Sequence, residues 1–127
     1  MTFYKIDKKK NKDCDLIFFN RLKKIIKNPV RIFFLKAKKN CLRGNHAHKL
    51  CTQYFLSIYG VIELEVDNGK NKKKYILNDT KLLKVKPLNW VTVKLKKNQI
   101  LAVLCDENYK KDEYIRNYKK FQNLIIK

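Results

Sequence analysis

The two residues best suited to chemistry are the only histidines of the 127-residue chain, His46 and His48, which are separated by one alanine. Side chains of a β-strand alternate between its faces, so a strand here would place both imidazoles on one face, about 7 Å apart along the backbone. Histidine titrates close to neutral pH, which suits it to proton transfer and to metal ligation. Arg43 and Lys49 bracket the pair, so a negatively charged small molecule could be held beside it. Residues 43–49 are therefore the strongest candidate site in the sequence.

The spacing after the histidines bears on the choice between these two chemistries, because it resembles that of cupin barrels. Metal-binding cupins carry His-x-His, then a glutamate after three or four further residues, then six residues and a glycine. Here Gln53 stands at the glutamate position and Gly60 at the glycine position, and the sequence has no third histidine. Divalent ions usually take three or more protein ligands, and two imidazoles with one amide form a poor set. We therefore expect acid–base chemistry without a metal ion, with a metal-dependent cupin as an alternative.

The composition predicts a folded protein with one domain, residues 1–127. Hydrophobic residues make up 45% of the chain against 33% charged residues, which argues against disorder, and a chain of 127 residues can bury a core without disulfides. The net charge of +20, from 31 basic and 11 acidic residues, predicts a general affinity for anions, including phosphorylated ligands. The lysines are spread over nearly every predicted loop rather than grouped in a stripe with exposed aromatic residues, so we expect no nucleic-acid partner.

Cysteine spacing and hydropathy bear on the compartment. Cys14, Cys41, Cys51 and Cys105 form neither a CxxC pair nor a zinc-finger pattern, so free thiols in a reducing compartment are expected. The first residues turn polar at once, unlike a signal peptide, and no apolar run approaches the roughly 20 residues of a membrane span. These features predict a cytoplasmic protein without a membrane partner.

Short runs rich in β-branched and aromatic residues recur at a spacing of about ten residues, with turn signals between them. In residues 61–66, apolar and acidic side chains alternate as in a half-buried strand, and the Asp67-Asn68-Gly69 sequence that follows favours a tight hairpin. This pattern predicts a mostly β sandwich or barrel. The predicted strands are residues 16–19, 30–35, 54–59, 61–66, 75–77, 82–85, 90–93 and 100–104.

The C-terminal part of the chain has a different periodicity. Between Asp112 and Ile126, apolar residues are spaced three and four positions apart, which fits an amphipathic helix packed on the outside of the β-structure. We therefore expect a short C-terminal helix over residues 110–127.

Residues 43–49, Arg-Gly-Asn-His-Ala-His-Lys, together with Gln53, resemble the signature of the sugar-nucleotide 3,4-ketoisomerases. These small enzymes are cupins, with a double-stranded β-helix (jelly-roll) barrel, and they act on dTDP-4-keto-6-deoxyglucose. Two further features occur in the matching order, namely residues 87–90 on a late strand and residues 112–118 before Phe121. The resemblance therefore covers most of the chain, and residues 43–49 are its most specific part.

The resemblance implies a metal-independent isomerisation, with no cofactor, that moves a carbonyl from carbon 4 to carbon 3 of the sugar through an enediolate. By the family match, His48 is the base, and His46 donates to the enediolate oxygens or relays protons for them. Arg43 is implied to stabilise the oxyanion or the diphosphate. The predicted catalytic residues are His48 and His46, and the predicted substrate-binding residues are Arg43, Lys49, Gln53 and Asn45.

The resemblance also implies an assembly and a pathway. We expect a homodimer in which N-terminal strands within residues 1–20 are exchanged with the partner. An aminotransferase would act next, leading to a 3-amino-3,6-dideoxy sugar of a lipopolysaccharide or another surface glycan. Two alternatives stay open. One is a 3,5-epimerase of a nucleotide-linked 4-keto sugar, which usually pairs a histidine base with a tyrosine acid, and the other is a non-catalytic cupin that binds sugar nucleotides.

Residues 12–15 lack the Arg-Gly pair that members often carry near the first strand, and three positions closer to the histidines also depart from the family pattern. Phe33 and Phe34 stand where a tyrosine pair is common, and Val91 stands where some members carry a histidine. We expect these positions to influence how the substrate is placed and which configuration carbon 4 of the product takes.

Overall fold

The computed structural model describes residues 1–126, within which the chain forms twelve short β-strands and two α-helices. The helices are α1 (Leu22–Ile25) and α2 (Tyr118–Ile126), and a 3-10 helix covers Lys111–Glu113. The strands are β1 (Thr2–Lys5), β2 (Asp7–Lys9), β3 (Leu16–Phe18), β4 (Arg31–Lys36), β5 (Cys41–His48), β6 (Gln53–Tyr59), β7 (Ile62–Asp67), β8 (Lys72–Leu77), β9 (Lys81–Val85), β10 (Trp90–Leu95), β11 (Ile100–Cys105) and β12 (Tyr114–Ile115).

Two antiparallel five-stranded sheets enclose a shared hydrophobic core. The strand order is β1-β9-β6-β11-β4 in the first sheet and β12-β5-β10-β7-β8 in the second. Both sheets contribute buried side chains to this core, among them Leu64, Val93 and Leu101. The prediction of a mostly β, jelly-roll barrel with a short C-terminal helix is confirmed.

Strand β7 illustrates how the sequence specifies the two faces of a strand. Its apolar side chains are buried, and the two glutamates between them are half-buried. The predicted hairpin follows, with Gly69 at a φ of +93° and its amide donating to Oδ1 of Asp67 at 2.7 Å. The alternation and the turn were therefore both readable from the sequence.

The N-terminal segment covers the outer face of the first sheet. Strand β1 pairs with β9 of the same chain, while β2 and β3 form a separate hairpin. Ile6 and Ile26 are buried here with Tyr54 and Leu82. Helix α1, a single turn, was not predicted. The exchange of residues 1–20 with a partner stays a prediction.

The C-terminal segment corrects the predicted helix over residues 110–127. The 3-10 helix is followed by β12, which pairs with β5, and α2 begins only at Tyr118. The first part of the predicted helix is therefore wrong, because Tyr114 and Ile115 pair with β5 instead of continuing the 3-10 turn as an α-helix. Lys127 lies outside the described residues.

The spacing of apolar residues misled because a strand and a helix bury their side chains at one place. Ile115 of β12 and Phe121 of α2 are both buried around Ala47 of β5, with Trp90 and Tyr118 packed against them. Neither of the described helices is long and apolar enough to cross a membrane. All four cysteines are free thiols, as predicted.

Candidate active site

A β-bulge in β5 sets the direction of the two histidines. Val91 of β10 is opposite His46, and the next residue, Thr92, is opposite Gly44, so that Asn45 is an extra residue in β5. Gly44 and Asn45 have φ angles of +85° and +56°. A Cβ atom on Gly44 would lie 2.6 Å from the carbonyl oxygen of Val91, so glycine is required at this position.

The bulge shifts the alternation of β5 by one residue, so Arg43 before it and His46 after it face the same cavity. His48 follows on the same face as His46. The two imidazole rings are 5.2 Å apart between centroids and nearly perpendicular, at 83°. The prediction that the histidines share one face of a strand is therefore confirmed.

The cavity between the two sheets has a volume of about 240 Å³. Its walls are mainly apolar, and three of the four arginines of the chain lie on them. A small, mainly apolar chamber with a few convergent polar groups is the usual form of a small-molecule site. The polar residues on the walls are Arg31, Arg43, His46, Gln53, Tyr114 and Arg116.

A carboxylate holds His48 in place. Nδ1 of His48 is hydrogen-bonded to Oε2 of Glu113, and both side chains are buried. The other carboxylate oxygen, Oε1, accepts hydrogen bonds from the amides of Leu50 at 2.8 Å and Cys51 at 2.7 Å. Glu113 is thus anchored to the backbone, and the orientation of the imidazole follows from it.

The charge state of Glu113 determines the tautomer of His48. Burial raises the pKa of Glu113, but the hydrogen bonds from Cys51, Leu50 and His48 outweigh burial, and the pKa lies below its usual value. An ionised carboxylate accepts the proton on Nδ1, which leaves the lone pair of a neutral ring on Nε2. That nitrogen is buried and has no hydrogen-bond partner within residues 1–126. His48 therefore has the form of a general base.

Burial keeps both histidines neutral near pH 7. The pKa of His46 falls to about 4, mainly through burial, with further lowering by His48 and Arg116. Burial also lowers the pKa of His48, while its hydrogen bond to Glu113 acts in the opposite direction. Both rings therefore keep a nitrogen lone pair at this pH, and the carboxylate of Glu113 would stabilise the cation that His48, but not His46, forms on taking a proton.

Tyr114 packs against both histidines. The centroid of its ring is 4.3 Å from that of His48 and 5.0 Å from that of His46. Its hydroxyl oxygen accepts a hydrogen bond of 3.0 Å from Nη1 of Arg31, and the guanidinium of Arg116 lies 4.6 Å from its ring centroid. Because Tyr114 and His46 also line the cavity, a phenol and two imidazoles meet at one place.

The comparison with known protein families gives one match that covers the described chain. A family model described as FdtA, WxcM-like, C-terminal, matches residues 1–126. The chain belongs to this FdtA family. A comparison with curated proteins gave no match.

Several solved structures that are similar to this chain are 3,4-ketoisomerases. The TDP-fucose-3,4-ketoisomerase WlaRA from Campylobacter jejuni is 30% identical, with a TM-score of 0.80 over 97% of this chain and 93% of that one. A 3,4-ketoisomerase from Helicobacter canadensis is 28% identical, with a TM-score of 0.87 over 99% and 97%. The TDP-quinovose 3,4-ketoisomerase WlaRB from Campylobacter jejuni is 26% identical, with a TM-score of 0.83 over 96% of each chain. The predicted family is confirmed, and so is the prediction of an isomerase.

Within this FdtA-family fold, the predicted site residues fall into two groups. Arg43, His46 and Gln53 line the cavity, and the amide of Gln53 donates to Sγ of Cys105 at 3.6 Å. His48 lies directly against the ring of His46. The structure therefore brings four of the six predicted residues together, and their individual roles stay predictions.

The other two predicted residues lie on the outside of the barrel. Asn45, the bulged residue, accepts a hydrogen bond of 2.9 Å from the hydroxyl of Thr92 on the outer face. Lys49 borders a surface cavity of about 830 Å³ beside α2. This larger cavity shares Tyr114 and Arg116 with the inner one, so the two spaces adjoin. Any contact of Asn45 or Lys49 with a ligand would therefore be made outside the inner cavity that His46 lines.

Sequence reasoning gave no role to Arg31, Glu113, Tyr114 or Arg116. Arg31 had a signal, since the period-two alternation of β4 puts it on the same face as Phe33. The other three lie in the segment that was interpreted as a helix, where a carboxylate and a phenol look like ordinary surface residues. The family resemblance includes residues 112–118, but it gave none of these three a role, and their place beside the histidines follows from the pairing of β12 with β5.

The three positions that depart from the family pattern lie in two different places. Phe33 and Val91 line the cavity, whereas Phe34 is 57% exposed on the outer face. Two of the three positions can therefore touch a ligand in the cavity. Within residues 1–126 no three histidine, cysteine or acidic side chains converge as a metal site.

Proposed function

We propose that this FdtA-family protein is a metal-independent isomerase that converts a dTDP-4-keto-6-deoxyhexose to the 3-keto sugar, with His48 as the base. The main support is the buried Glu113–His48 pair, which leaves Nε2 of His48 without a partner next to an arginine-lined cavity. Similarity to a TDP-fucose and a TDP-quinovose 3,4-ketoisomerase supports the reaction and the TDP-linked substrate.

The base acts at two neighbouring carbons. The ketone at carbon 4 acidifies the proton on carbon 3, and Nε2 of His48 removes that proton to form an enediolate. The protonated imidazole then delivers a proton to carbon 4, which leaves the carbonyl at carbon 3. The carboxylate of Glu113 favours both steps, because it stabilises the imidazolium that exists between them.

The negative charge of the enediolate is met by fixed cations. Arg31, Arg43 and Arg116 line the cavity from three different segments of the chain, so positive charge would face a bound sugar from more than one wall. Fixed cations are effective here because they need no reorganisation as negative charge develops on the sugar. His46, which stays neutral, donates a hydrogen bond to an enediolate oxygen.

The size of the cavity divides the substrate into two parts. A volume of about 240 Å³ lies below the range of roughly 300–1,000 Å³ that holds drug-sized ligands, so it suits one sugar ring. The nucleoside diphosphate must then lie outside the barrel. Gln53 would contact the sugar, Arg43 would contact the sugar or the diphosphate, and Lys49 and Asn45 would contact the nucleotide only.

We also propose a cytoplasmic homodimer with exchanged N-terminal strands, serving the synthesis of a 3-amino-3,6-dideoxy sugar for a lipopolysaccharide or another surface glycan. Strand β4 is an edge of the first sheet and exposes Ile32 and Phe34 at 54% and 57%. Edge strands with exposed apolar side chains favour association. The molar mass in solution, measured by light scattering, tests the dimer, and a monomer would contradict it.

The reaction is tested by an NMR time course in deuterated water. The metal-stripped protein is mixed with dTDP-4-keto-6-deoxyglucose, and His48→Asn is run beside it with His46→Asn as the matched variant. We expect a 3-keto sugar with deuterium at carbon 4, and a loss of about 10³-fold in His48→Asn. A smaller loss is expected in His46→Asn. Activity that survives in His48→Asn, or that requires an added metal ion, would contradict the proposal.

A second candidate is a 3,5-epimerase of a nucleotide-linked 4-keto sugar. One observation favours it, because Tyr114 beside His48 supplies the phenol that such an enzyme uses with its histidine base. The same spectra separate the two reactions. Deuterium at carbons 3 and 5, with the ketone still at carbon 4, would identify an epimerase, and binding without exchange would identify a non-catalytic sugar-nucleotide-binding protein.

A further inference from the structure

We propose that Tyr114 is a catalytic residue that moves a proton between the two sugar oxygens, and that Arg31 makes this possible by holding the phenol oxygen. The inference rests on the 3,4-ketoisomerase function proposed above and adds a second acid–base group to it. The geometry behind it is the contact of Tyr114 with both histidines and its hydrogen bond with Arg31.

The chemistry of the reaction requires such a group. Removal of the proton from carbon 3 leaves a negative charge on the oxygen of carbon 4 and a hydroxyl on carbon 3. The product has a hydroxyl on carbon 4 and a carbonyl on carbon 3, so one proton must pass from one oxygen to the other. His48 accounts for the proton transfers at the two carbons, and its nitrogen stays protonated for as long as the enediolate exists. A different group has to serve the oxygens.

A phenol can perform this transfer with atoms and charges in balance. The hydroxyl of Tyr114 gives its proton to the oxygen on carbon 4, and the resulting phenolate takes the proton from the hydroxyl on carbon 3. No net charge is gained, and Tyr114 returns to its starting state. Nη1 of Arg31 already donates to the phenol oxygen at 3.0 Å, so the phenolate would form next to a cation and the hydroxyl proton is left for the ligand.

His46 is less suited to the same task. To take a proton from the sugar it would have to become a cation, which burial and the neighbouring His48 and Arg116 disfavour, as its pKa of about 4 reflects. To give a proton to the sugar, neutral His46 would have to become an anion, which a neighbouring cation would need to stabilise. The guanidinium of Arg31 donates its hydrogen bond to Tyr114 instead. Hydrogen-bond donation is the role left to His46.

The chain positions the base and the phenol together. Glu113, which orients His48, immediately precedes Tyr114, and Tyr114 is the direct partner of His48 in the ladder between β12 and β5. Any movement of β12 would therefore displace the carboxylate and the phenol at once. Two consecutive residues thus supply the carboxylate that orients His48 and the phenol that transfers protons between the sugar oxygens.

The test compares Tyr114→Phe with Tyr109→Phe in deuterated water, after the unchanged protein has been shown to isomerise dTDP-4-keto-6-deoxyglucose. Tyr109 is a suitable control because its ring is 5.5 Å from that of Tyr114 and in contact with Arg31, yet it is 55% exposed. Two rates are measured, formation of the 3-keto sugar and exchange of deuterium into carbon 3 of the remaining substrate.

We expect Tyr114→Phe to form product about 10²-fold more slowly, while exchange at carbon 3 falls much less. The enediolate then forms and reverts without completing the isomerisation, so the ratio of exchange to product rises. Tyr109→Phe should keep both rates within about twofold. Product formation by Tyr114→Phe at the rate of the control would overturn the inference, as would a loss of both rates with an unchanged ratio.

A second variant separates chemistry from packing. Replacing Tyr114 with a fluorinated tyrosine keeps the ring and the hydroxyl and makes the phenol more acidic, so the pH dependence of product formation should move to lower pH. An unmoved pH profile would overturn the inference. If the unchanged protein binds the sugar nucleotide without turning it over, the proposed function fails and this inference fails with it, whereas turnover with a fully active Tyr114→Phe refutes the inference alone.

Discussion

Two segments of the chain build the site, and they differ in how easily their functional residues can be recognised from the sequence. Strand β5 carries Arg43, His46 and His48 within six residues, and its chemistry is visible in the residue types alone. The segment of residues 111–116 supplies the carboxylate behind His48 and the phenol beside it, yet its composition resembles a surface helix. A reactive group can be recognised locally, whereas the groups that set its protonation state come from elsewhere in the chain.

The substitution Glu113→Gln tests most strongly whether residues 111–116 set the protonation state of the histidine on β5. The amide keeps an oxygen for the backbone amides of Leu50 and Cys51, but its NH₂ group favours the other tautomer of His48, with the proton on Nε2. We expect product formation to fall about 10⁴-fold, as when a histidine base is held in the wrong tautomer. Asp112→Asn, one residue earlier and exposed, should stay near the unchanged rate.

Thermal unfolding controls for the fold of these two variants. Equal midpoints with very different rates would locate the effect of Glu113 in the chemistry. An active Glu113→Gln would mean that residues 111–116 contribute only structure, and the contrast between the two segments would be lost.

A change within β5 tests whether the bulge, and not only the histidines, is needed. In Gly44→Ala the new methyl group meets the carbonyl of Val91 at a positive φ, so we expect a loss of about 1–3 kcal/mol in the free energy of unfolding. Displacement of His46 and Arg43 should lower kcat/KM by roughly 10²-fold. Gly69→Ala is the matched control, because Gly69 also has a positive φ but lies in the β7–β8 hairpin.

Chemical denaturation and steady-state kinetics distinguish the two glycine variants. Both should be destabilised, and only Gly44→Ala should lose most of its activity. Equal loss of activity in the two variants would show that the bulge has no special part in positioning the site.

The smallest effects on the kinetics are expected from two substitutions, one on the inner face of β5 and one just after the end of this strand. Arg43→Ala removes a cavity-lining cation and should lower kcat/KM about tenfold, because a hydrogen bond to a charged group is worth roughly 1.5–3 kcal/mol. Lys49→Ala removes an exposed charge outside the barrel, where solvent screens the interaction, and should raise KM by at most about fivefold. Steady-state kinetics with the sugar nucleotide measure both, and the reverse order of effects would contradict the division of the substrate between the two cavities.

Several parts of the fold could be predicted because their signals are local. The alternation in β7, the Asp67-Asn68-Gly69 turn and the His-x-His spacing each depend on neighbours in sequence. The direction of Arg31 could also have been read from the alternation of β4. These features need no knowledge of which strands meet.

The remainder depends on contacts between distant residues. Glu113 and His48 are separated by 65 positions, and their pairing exists only because β12 joins the sheet beside β5. The spacing of Ile115 and Phe121 fits one helix as well as a strand followed by a helix, so periodicity could not decide. The bulge at Asn45 is likewise set by the pairing of β5 with β10.

The central claim is that Glu113 holds His48 as a neutral base with its lone pair on Nε2. Nitrogen-15 NMR of histidine-labelled protein tests it directly, since the chain has only two histidines and His48→Asn assigns the signals. At pH 7 we predict that His48 is protonated on Nδ1 alone and that its pKa lies below 6.5, while His46 titrates near 4. Because a lowered pKa keeps the ring neutral, activity should persist as the pH falls to 6.5. An imidazolium at pH 7, or a proton on Nε2 instead of Nδ1, would contradict the account.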